Sequence, residues 1–216
     1  MRGLIKYFLI IFFIANASSQ DKLFTIIDPD QTGIHFSNDL IDTKENNVFL
    51  YANFYGGAGV GVGDFDNDGL DDLFFAGNLV DDKIYKNLGN LKFQDKTPNS
   101  GIINDSSWST GVTVADVNND GLLDIYVSCE LYDDQPKLRT NKLYINKGNF
   151  KFDELAAKWN VDVDRRTRHA VFFDYNKDGL LDLYLLNHPP NTGNFSPFLG
   201  TDMKLPEYNL QLFENK

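Results

Sequence analysis

A short acidic segment occurs three times in this chain of 216 residues, and it constrains the fold more than any other feature. The copies begin at Asp64, Asp116 and Asp174, and each lies between two short apolar runs. The first Asp residues are 52 and 58 positions apart. A period of that size is typical of propellers and solenoids, in which each repeat is one supersecondary unit.

A second element follows each acidic segment. It reads Lys-Ile-Tyr-Lys-Asn in residues 83–87 and Lys-Leu-Tyr-Ile-Asn in residues 142–146, and its third copy runs from residue 210 to the last residue, Lys216. The first two copies continue through Asn-x-Gly-Asn, which is typical of hairpin turns, to Phe93 and Phe152. The third copy lacks this continuation, so we expect a fragment of a longer chain.

Each repeat therefore predicts four short strands. These are the apolar run before the acidic segment, the alternating run after it (residues 73–76, 125–128 and 183–186), the Tyr-containing element, and a strand that starts near Phe93 or Phe152. Four consecutive strands per repeat predict an all-β fold, a β-propeller whose blades are four-stranded antiparallel sheets. We expect this chain to contain about three blades of a larger ring.

The repeats divide the chain into five segments. We expect a signal peptide in residues 1–17, an N-terminal segment in 18–58, and repeats in 59–110, 111–169 and, truncated, 170–216. Residues 24–34 parallel residues 93–102, the fourth strand and exit of a blade. Phe24 and its neighbours are therefore predicted to supply an outer strand that pairs with the last blade and closes the ring.

The N-terminus indicates export. Arg2 and Lys6 precede an apolar run over residues 7–15. Ala15 and Ala17 are small residues at the two positions that a signal peptidase recognises. A membrane anchor or a buried helix is the alternative, but the run is about half the roughly 20 residues that span a bilayer. No later stretch is long and apolar enough to span. We expect a secreted or cell-surface protein, from a Gram-negative bacterium.

The acidic segments share one spacing. With the first Asp as position 1, oxygen-bearing side chains fall at positions 1, 3, 5 and 9, and Gly falls at position 6. Alternate residues of a tight loop can direct their oxygens at a hard cation, and the carbonyl at position 7 can join them; oxygen ligands favour Ca²⁺ over transition metals. The sequence therefore predicts three calcium ions, held by Asp64, Asp66, Asp68, Leu70 and Asp72, by Asp116, Asn118, Asp120, Leu122 and Asp124, and by Asp174, Asn176, Asp178, Leu180 and Asp182.

Two other interpretations of these loops are less favoured. An EF-hand needs Glu at position 12 and flanking helices, whereas position 12 is Phe75, Val127 or Leu185 here and the flanks alternate like strands. Plain turns also use Asp, Asn and Gly. A turn does not require four converging carboxylates, and those of the first loop would repel one another without a cation.

These residues resemble the FG-GAP/VCBS repeats of integrin α-subunit propellers and of many bacterial secreted proteins, most closely the cartilage-acidic-protein/UnbV-like group. The resemblance covers roughly residues 24–216. It implies calcium in each loop on the residues named above and a ring of about seven blades. The Phe-Gly and Gly-Ala-Pro signatures of the integrin version are not present.

Charge excludes one class of partner. The chain has 31 acidic and 20 basic residues and a formal net charge of −11. A nucleic-acid binder must neutralise phosphates with Lys and Arg, so we expect no nucleic acid. Ten of the aspartates occupy ligand positions of the three loops, so much of the acidity reflects the predicted metal binding and says little about a partner.

We expect partners at the ends of the blades opposite the acidic loops, where the longer connections lie. The candidate contacts are Trp108, Tyr132, Arg165, Arg166, Arg168 and His188. The alternative is that these residues are solvated or cap neighbouring blades. No Ser-His-Asp set, His cluster or Gly-rich phosphate loop indicates catalysis. The predicted function is a secreted calcium-binding module for an extracellular protein or glycan; the alternative is the scaffold of a larger enzyme or display protein whose active part lies beyond residue 216.

Overall fold

The computed structural model describes residues 23–51, 53–131, 136–188 and 210–216. Within these residues there are a one-turn helix, α1 (Pro29–Thr32), and a 3-10 turn, Pro136–Arg139. The strands are β1 (Val60–Gly63), β2 (Asp72–Phe75), β3 (Lys83–Asn87), β4 (Phe93–Asp95), β5 (Ser109–Ala115), β6 (Asp124–Cys129), β7 (Lys142–Asn146), β8 (Phe152–Glu154), β9 (Thr167–Phe173), β10 (Asp182–Asn187) and β11 (Leu210–Phe213).

The strands form three antiparallel sheets that follow chain order. The first sheet is β1-β2-β3-β4, the second is β5-β6-β7-β8, and the third has β10 between β9 and β11. The prediction of an all-β fold with four-stranded antiparallel sheets is confirmed for the first two repeats. In the third repeat the described residues contain three strands. The closed ring stays a prediction.

Each acidic segment connects the first two strands of its sheet. The last pair in each register joins the residue before the loop to position 9, namely Gly63 to Asp72, Ala115 to Asp124 and Phe173 to Asp182. The loop is therefore closed by paired backbone at its base. The Asn-x-Gly turn between the third and fourth strands lies at the same end of the sheet, which we call the acidic end.

The sheets pack face to face through two apolar clusters. Phe74 and Ile84 of the first sheet meet Ile125 and Tyr144 of the second, and all four side chains are buried. The second cluster joins the second sheet to the third through residues that include Tyr126, Leu143 and Leu183. Strand β6 is buried along its whole length because it has strands on both sides and a sheet against each face. Burial on this scale is the main stabilising term in such a fold.

The first strands of neighbouring sheets approach closely. A Cβ atom on Gly61 would lie 2.6 Å from Val112 Cγ1, and one on Gly111 would lie 2.7 Å from the carbonyl oxygen of Arg168. Thr113 Oγ1 donates a hydrogen bond of 2.7 Å to the carbonyl oxygen of Ala170, which ties the first strands of the second and third sheets together. Glycine in these strands is therefore required by packing between sheets.

The segment that leaves the first sheet crosses onto the second. Gly101, with φ of 93°, follows the first sheet, and a Cβ atom there would lie 2.0 Å from the carbonyl oxygen of Phe152 in β8. The N–H of Phe152 donates to the carbonyl of Ser100 over 2.7 Å. Gly33, with φ of 80°, lies in the same way against the carbonyl oxygen of Phe93 in β4. We call residues 29–36 and 97–104 the strap segments.

The N-terminal segment before the first strap does not form a strand in the described residues. Residues 23–28 have no regular structure, and the side chains of Leu23, Phe24 and Ile26 are exposed. An outer strand needs the edge of another sheet to pair with. The predicted ring-closing strand around Phe24 therefore stays a prediction.

The predicted signal peptide, residues 1–17, lies outside the described residues. Within the part of the chain that the structure describes, no helix has the length and apolar character needed to cross a membrane.

The close contact at Gly101 gives a testable expectation. We expect Gly101→Ala to lower the free energy of unfolding by at least about 3 kcal/mol, because a side chain there meets both an unfavourable positive φ and the carbonyl of Phe152. Gly148→Ala is the matched control: Gly148 also has a positive φ, of 80°, but nothing lies within 4 Å of a Cβ there. It should cost about 1 kcal/mol. Urea denaturation measures both, and equal losses would contradict the packing argument.

Candidate metal centre

The three acidic loops fold in the same way. The carboxylate at position 1 accepts backbone N–H groups from positions 5 and 6; in the first loop Asp64 Oδ1 and Oδ2 accept from Asp68 and Gly69 over 3.0 and 2.8 Å. The same two bonds occur at Asp116 and at Asp174. Position 6 is Gly with φ between 86° and 89° in all three loops, which residues with a side chain rarely adopt.

Position 5 fixes the second half of each loop. Asp68 Oδ1 accepts the N–H of Leu70 at position 7, and Asp120 and Asp178 accept from their own position 7 residues. These bonds turn the backbone so that the loop closes around its own carboxylates. The sequence spacing therefore specifies one local conformation three times.

Position 9 joins each loop to the third strand of its sheet. Asp72 Oδ2 accepts the N–H of Phe65 over 2.9 Å, and its Oδ1 accepts the N–H of Asn87 over 2.8 Å. Asp124 and Asp182 make the same pair of bonds in their own repeats. These carboxylates are buried, so each one satisfies backbone donors that would otherwise be without a partner.

An Asn at the end of the third strand completes this connection, and the sequence interpretation missed its role. The side chain of Asn146 donates to the carbonyls of Phe65 and Leu123 and accepts from the N–H of Gly148. Asn87 and Asn215 occupy the same place in the other repeats. The sequence does show an Asn at this place in every repeat, but we interpreted this Asn as part of a hairpin turn.

The first loop brings several carboxylates to one point. Asp64, Asp66 and Asp72 each offer an oxygen, and these oxygens lie within 4.8 Å of one another. Asp66 Oδ1 is buried and has no hydrogen-bond partner among the described residues. A hard divalent cation takes carboxylate and carbonyl oxygens in this kind of arrangement. These three aspartates therefore fit a calcium ion, and Asp68 and the Leu70 carbonyl stay predicted as further ligands.

Electrostatics supports the same fit. Burial raises the pKa of Asp124 to about 6, and burial also raises the pKa of Asp72, although backbone N–H groups act in the opposite direction on both. The neighbouring loop carboxylates add to the rise in each case. A divalent cation beside such a group favours its charged form. The loops are therefore places where a bound cation would relieve unfavourable burial and repulsion.

A lysine that the sequence interpretation did not single out lies at the first loop. Lys86, in β3, donates from Nζ to Asp66 Oδ2 and, over 2.7 Å, to Asp68 Oδ2. These bonds raise the pKa of Lys86, and the contact lowers the pKa of Asp68. Its ammonium group also lies 5.7 Å from the centroid of the Phe150 ring. The first loop thus has a cation of its own beside the candidate ligands.

The opposite end of the sheets, which we call the connection end, holds the predicted partner contacts, and two of them are buried. Trp108 is 1% exposed and packs on Tyr51 and Phe54, with ring centroids 5.0 and 5.5 Å apart. Arg166 is 8% exposed, and its guanidinium lies 5.5 Å from the Tyr51 ring centroid. Trp108 is therefore corrected to a core residue, because residues from the N-terminal segment cover it.

The other candidates are partly exposed. Arg168 forms an ion pair with the buried Glu130. The pKa of His188 is lowered, chiefly by burial and in addition by the positive charges of Arg168 and Arg166. Arg165 is half-buried beside them. Tyr132 lies outside the described residues. The structure thus brings Arg166 and Arg168 close to the buried carboxylate of Glu130, with His188 beside the two arginines.

A cavity of about 310 Å³ opens at the connection end. It is lined by the backbone of residues 56–59, by Thr110 and Gly111, and by Arg168 and His169. The first strands of all three sheets begin here. A single ligand here could touch all three repeats.

Comparison with known proteins agrees with this geometry. Residues 64–127, from the first acidic loop into β6, match the FG-GAP-like repeat family. The resemblance to the FG-GAP repeat group is thereby confirmed. The chain is also 26% identical over 179 residues to cartilage acidic protein 1 of Xenopus tropicalis. That alignment covers 82% of this chain and 27% of the relative, so the chain spans about a quarter of the length of the curated protein it matches.

The role of the Asn at the end of the third strand can be tested by substitution. We expect Asn146→Ala to lower the free energy of unfolding by about 3 kcal/mol, because the buried carbonyls of Phe65 and Leu123 and the N–H of Gly148 lose their partner. Asn87→Ala should cost about half as much, since the bonds of the Asn87 side chain within the described residues go to Asp71 and Gly89 of its own repeat. Thermal or urea unfolding measures both variants. If both variants lose the same free energy of unfolding, Asn146 does not act as a link between the two sheets.

Proposed function

We propose that this chain is the calcium-stabilised part of a secreted FG-GAP/VCBS repeat propeller that binds an extracellular protein or glycan. The observation that carries the proposal is the set of three acidic loops with one shared conformation, in which the oxygens of Asp64, Asp66 and Asp72 converge within 4.8 Å. Neither the FG-GAP-like repeat description nor the name of the relative refers to an enzymatic activity. Both favour an interaction module over an enzyme.

Calcium in this proposal is structural. Each ion would be held by the side chains at positions 1, 3, 5 and 9 and by the carbonyl at position 7. It would neutralise carboxylates that are brought together by the fold, and it would fix the connection between the first two strands of each sheet. The buried, unpartnered Asp66 Oδ1 supports this role in the first loop.

Removal of calcium tests the proposal. We expect EDTA to lower the melting temperature of the full-length protein by at least about 5 to 10 °C, because an ion present at 100 times its dissociation constant contributes about 2.7 kcal/mol and one site alone accounts for a shift of that size. Excess Ca²⁺ should restore the transition, whereas equimolar Mg²⁺ should not, since Mg²⁺ requires a smaller octahedral site. A melting temperature that EDTA leaves unchanged would falsify the structural role of calcium.

The binding surface in this proposal is the connection end. The cavity of about 310 Å³ combines main chain of residues 56–59 with the side chains of Arg168 and His169. A cavity that joins backbone polar groups to a guanidinium and an imidazole suits an anionic or hydroxyl-rich ligand, such as an acidic glycan or a carboxylate of a protein.

A binding screen tests the surface. The full-length protein would be screened against glycans and extracellular proteins, and we expect a ligand whose affinity falls at least about fivefold in His169→Ala. His169 is exposed and lines the cavity, so this change should leave the fold intact. Lys147→Ala, an exposed change at the acidic end, is the matched control and should have no effect. If binding is lost in Lys147→Ala but not in His169→Ala, the proposed surface is wrong and the ligand binds at the acidic end.

Further repeats of the same chain are the remaining partner in this proposal. A cavity of about 340 Å³ lies beside β11 and is lined by Val117, Leu143, Phe172 and Phe213. Between the first two sheets the corresponding space is filled by Phe152 of β8, whose ring packs edge-on against Phe65. A fourth strand of the third sheet would fill the space beside β11 in the same way.

A further inference from the structure

We propose that Lys86 is a built-in competitor for calcium in the first loop: its ammonium group shares Asp66 and Asp68 with the metal, so that the first loop binds calcium more weakly than the second and third. This inference rests on the proposed function, since it assumes that the loops bind calcium. It adds that the three sites are unequal and names the residue that makes them so.

The comparison between repeats is the first part of the argument. In the second loop Asn118, at position 3, donates from Nδ2 to Asp120 Oδ2 at position 5 over 3.0 Å. In the third loop Asn176 makes the same bond to Asp178 over 2.8 Å. Positions 3 and 5 are therefore linked by an amide N–H group in both loops.

The first loop makes this link differently. Its position 3 is Asp66, which has no hydrogen to donate to Asp68, and the link comes instead from Lys86 Nζ, which donates to Oδ2 of both carboxylates. The strand position of Lys86 holds Ile145 in the second repeat and Glu214 in the third. Asp66 and Lys86 thus form an additional acid–base pair that replaces the Asn of the other loops.

The consequence for a metal follows from charge. Asp66 Oδ1 remains buried without a hydrogen-bond partner among the described residues, so one oxygen of position 3 is still available to a cation. The other oxygen, and one of Asp68, are already bonded to an ammonium group. Calcium must displace that group or bind a few ångström from it, and either event weakens binding. In the absence of calcium the same ammonium group neutralises part of the loop and keeps it folded.

The experiment follows each loop separately in the full-length protein. The backbone amides of Gly69, Gly121 and Gly179 donate to the position 1 carboxylate of their own loops, so their ¹⁵N–¹H signals report the three sites one by one. During a calcium titration we expect Gly69 to respond at the highest calcium concentration. In Lys86→Ile, which installs the residue of the second repeat, its midpoint should move to about tenfold lower calcium, the factor expected from removing a monovalent cation a few ångström from a divalent one in water. The midpoints of Gly121 and Gly179 should not move.

Two further variants separate this effect from general changes. Lys83→Ile removes the same charge from the same strand, but Lys83 pairs with Asp95 and not with the loop, so the Gly69 midpoint should stay in place. Lys86→Gln keeps a polar, unbranched side chain without the charge. It should also move the Gly69 midpoint to lower calcium, and it takes the place of Lys86→Ile if that variant folds poorly.

The outcomes distinguish the inference from the function on which it rests. If all three glycine signals respond to calcium but neither Lys86 variant shifts Gly69, the competition by Lys86 is wrong and the calcium function stands. An equal shift in Lys83→Ile would also overturn the inference, because the effect would then be one of overall charge. If none of the three signals responds to millimolar calcium, the proposed calcium function itself is wrong.

Discussion

Each repeat depends on a carboxylate that is buried at the base of its acidic loop. The position 9 side chains, Asp72, Asp124 and Asp182, accept one backbone N–H from the loop and one from the end of the third strand. The first two strands are thereby held to the third, and the loop has one conformation in every repeat. The position of the other loop carboxylates, and so the metal centre that we propose, follows from this contact.

Much of the fold could be predicted because it is local and repeated. The strands, their antiparallel order and the loop conformation depend on residues a few positions apart, and the sequence shows them two or three times. The loop residues were predicted as metal ligands from their spacing alone. The spacing does not show that position 9 is also a backbone acceptor, since its second partner comes from a strand 15 residues further along in the first repeat and 22 in the second.

Contacts between distant segments could not be predicted in this way. Trp108 lies in a connection and was expected at a surface, but Tyr51 and Phe54, more than 50 residues earlier, cover it. Lys86 lies in β3 and reaches a loop about 20 residues away. Neither contact recurs in the other repeats, so no sequence pattern predicts it. The repeated parts of this molecule can be derived from its sequence, and the differences between repeats require the structure.

The strap segments have a consequence for how such a chain can gain or lose repeats. Residues 97–104 belong to the first repeat by sequence, yet Ser100 and Gly101 lie against Phe152 of the second sheet. The unit that is copied in the sequence and the unit that folds are therefore out of phase. Deletion of residues 59–110 would remove the first sheet together with the strap that covers the second. The strap of residues 29–36, which covers the deleted sheet, would then precede the second sheet and could take that place against Phe152.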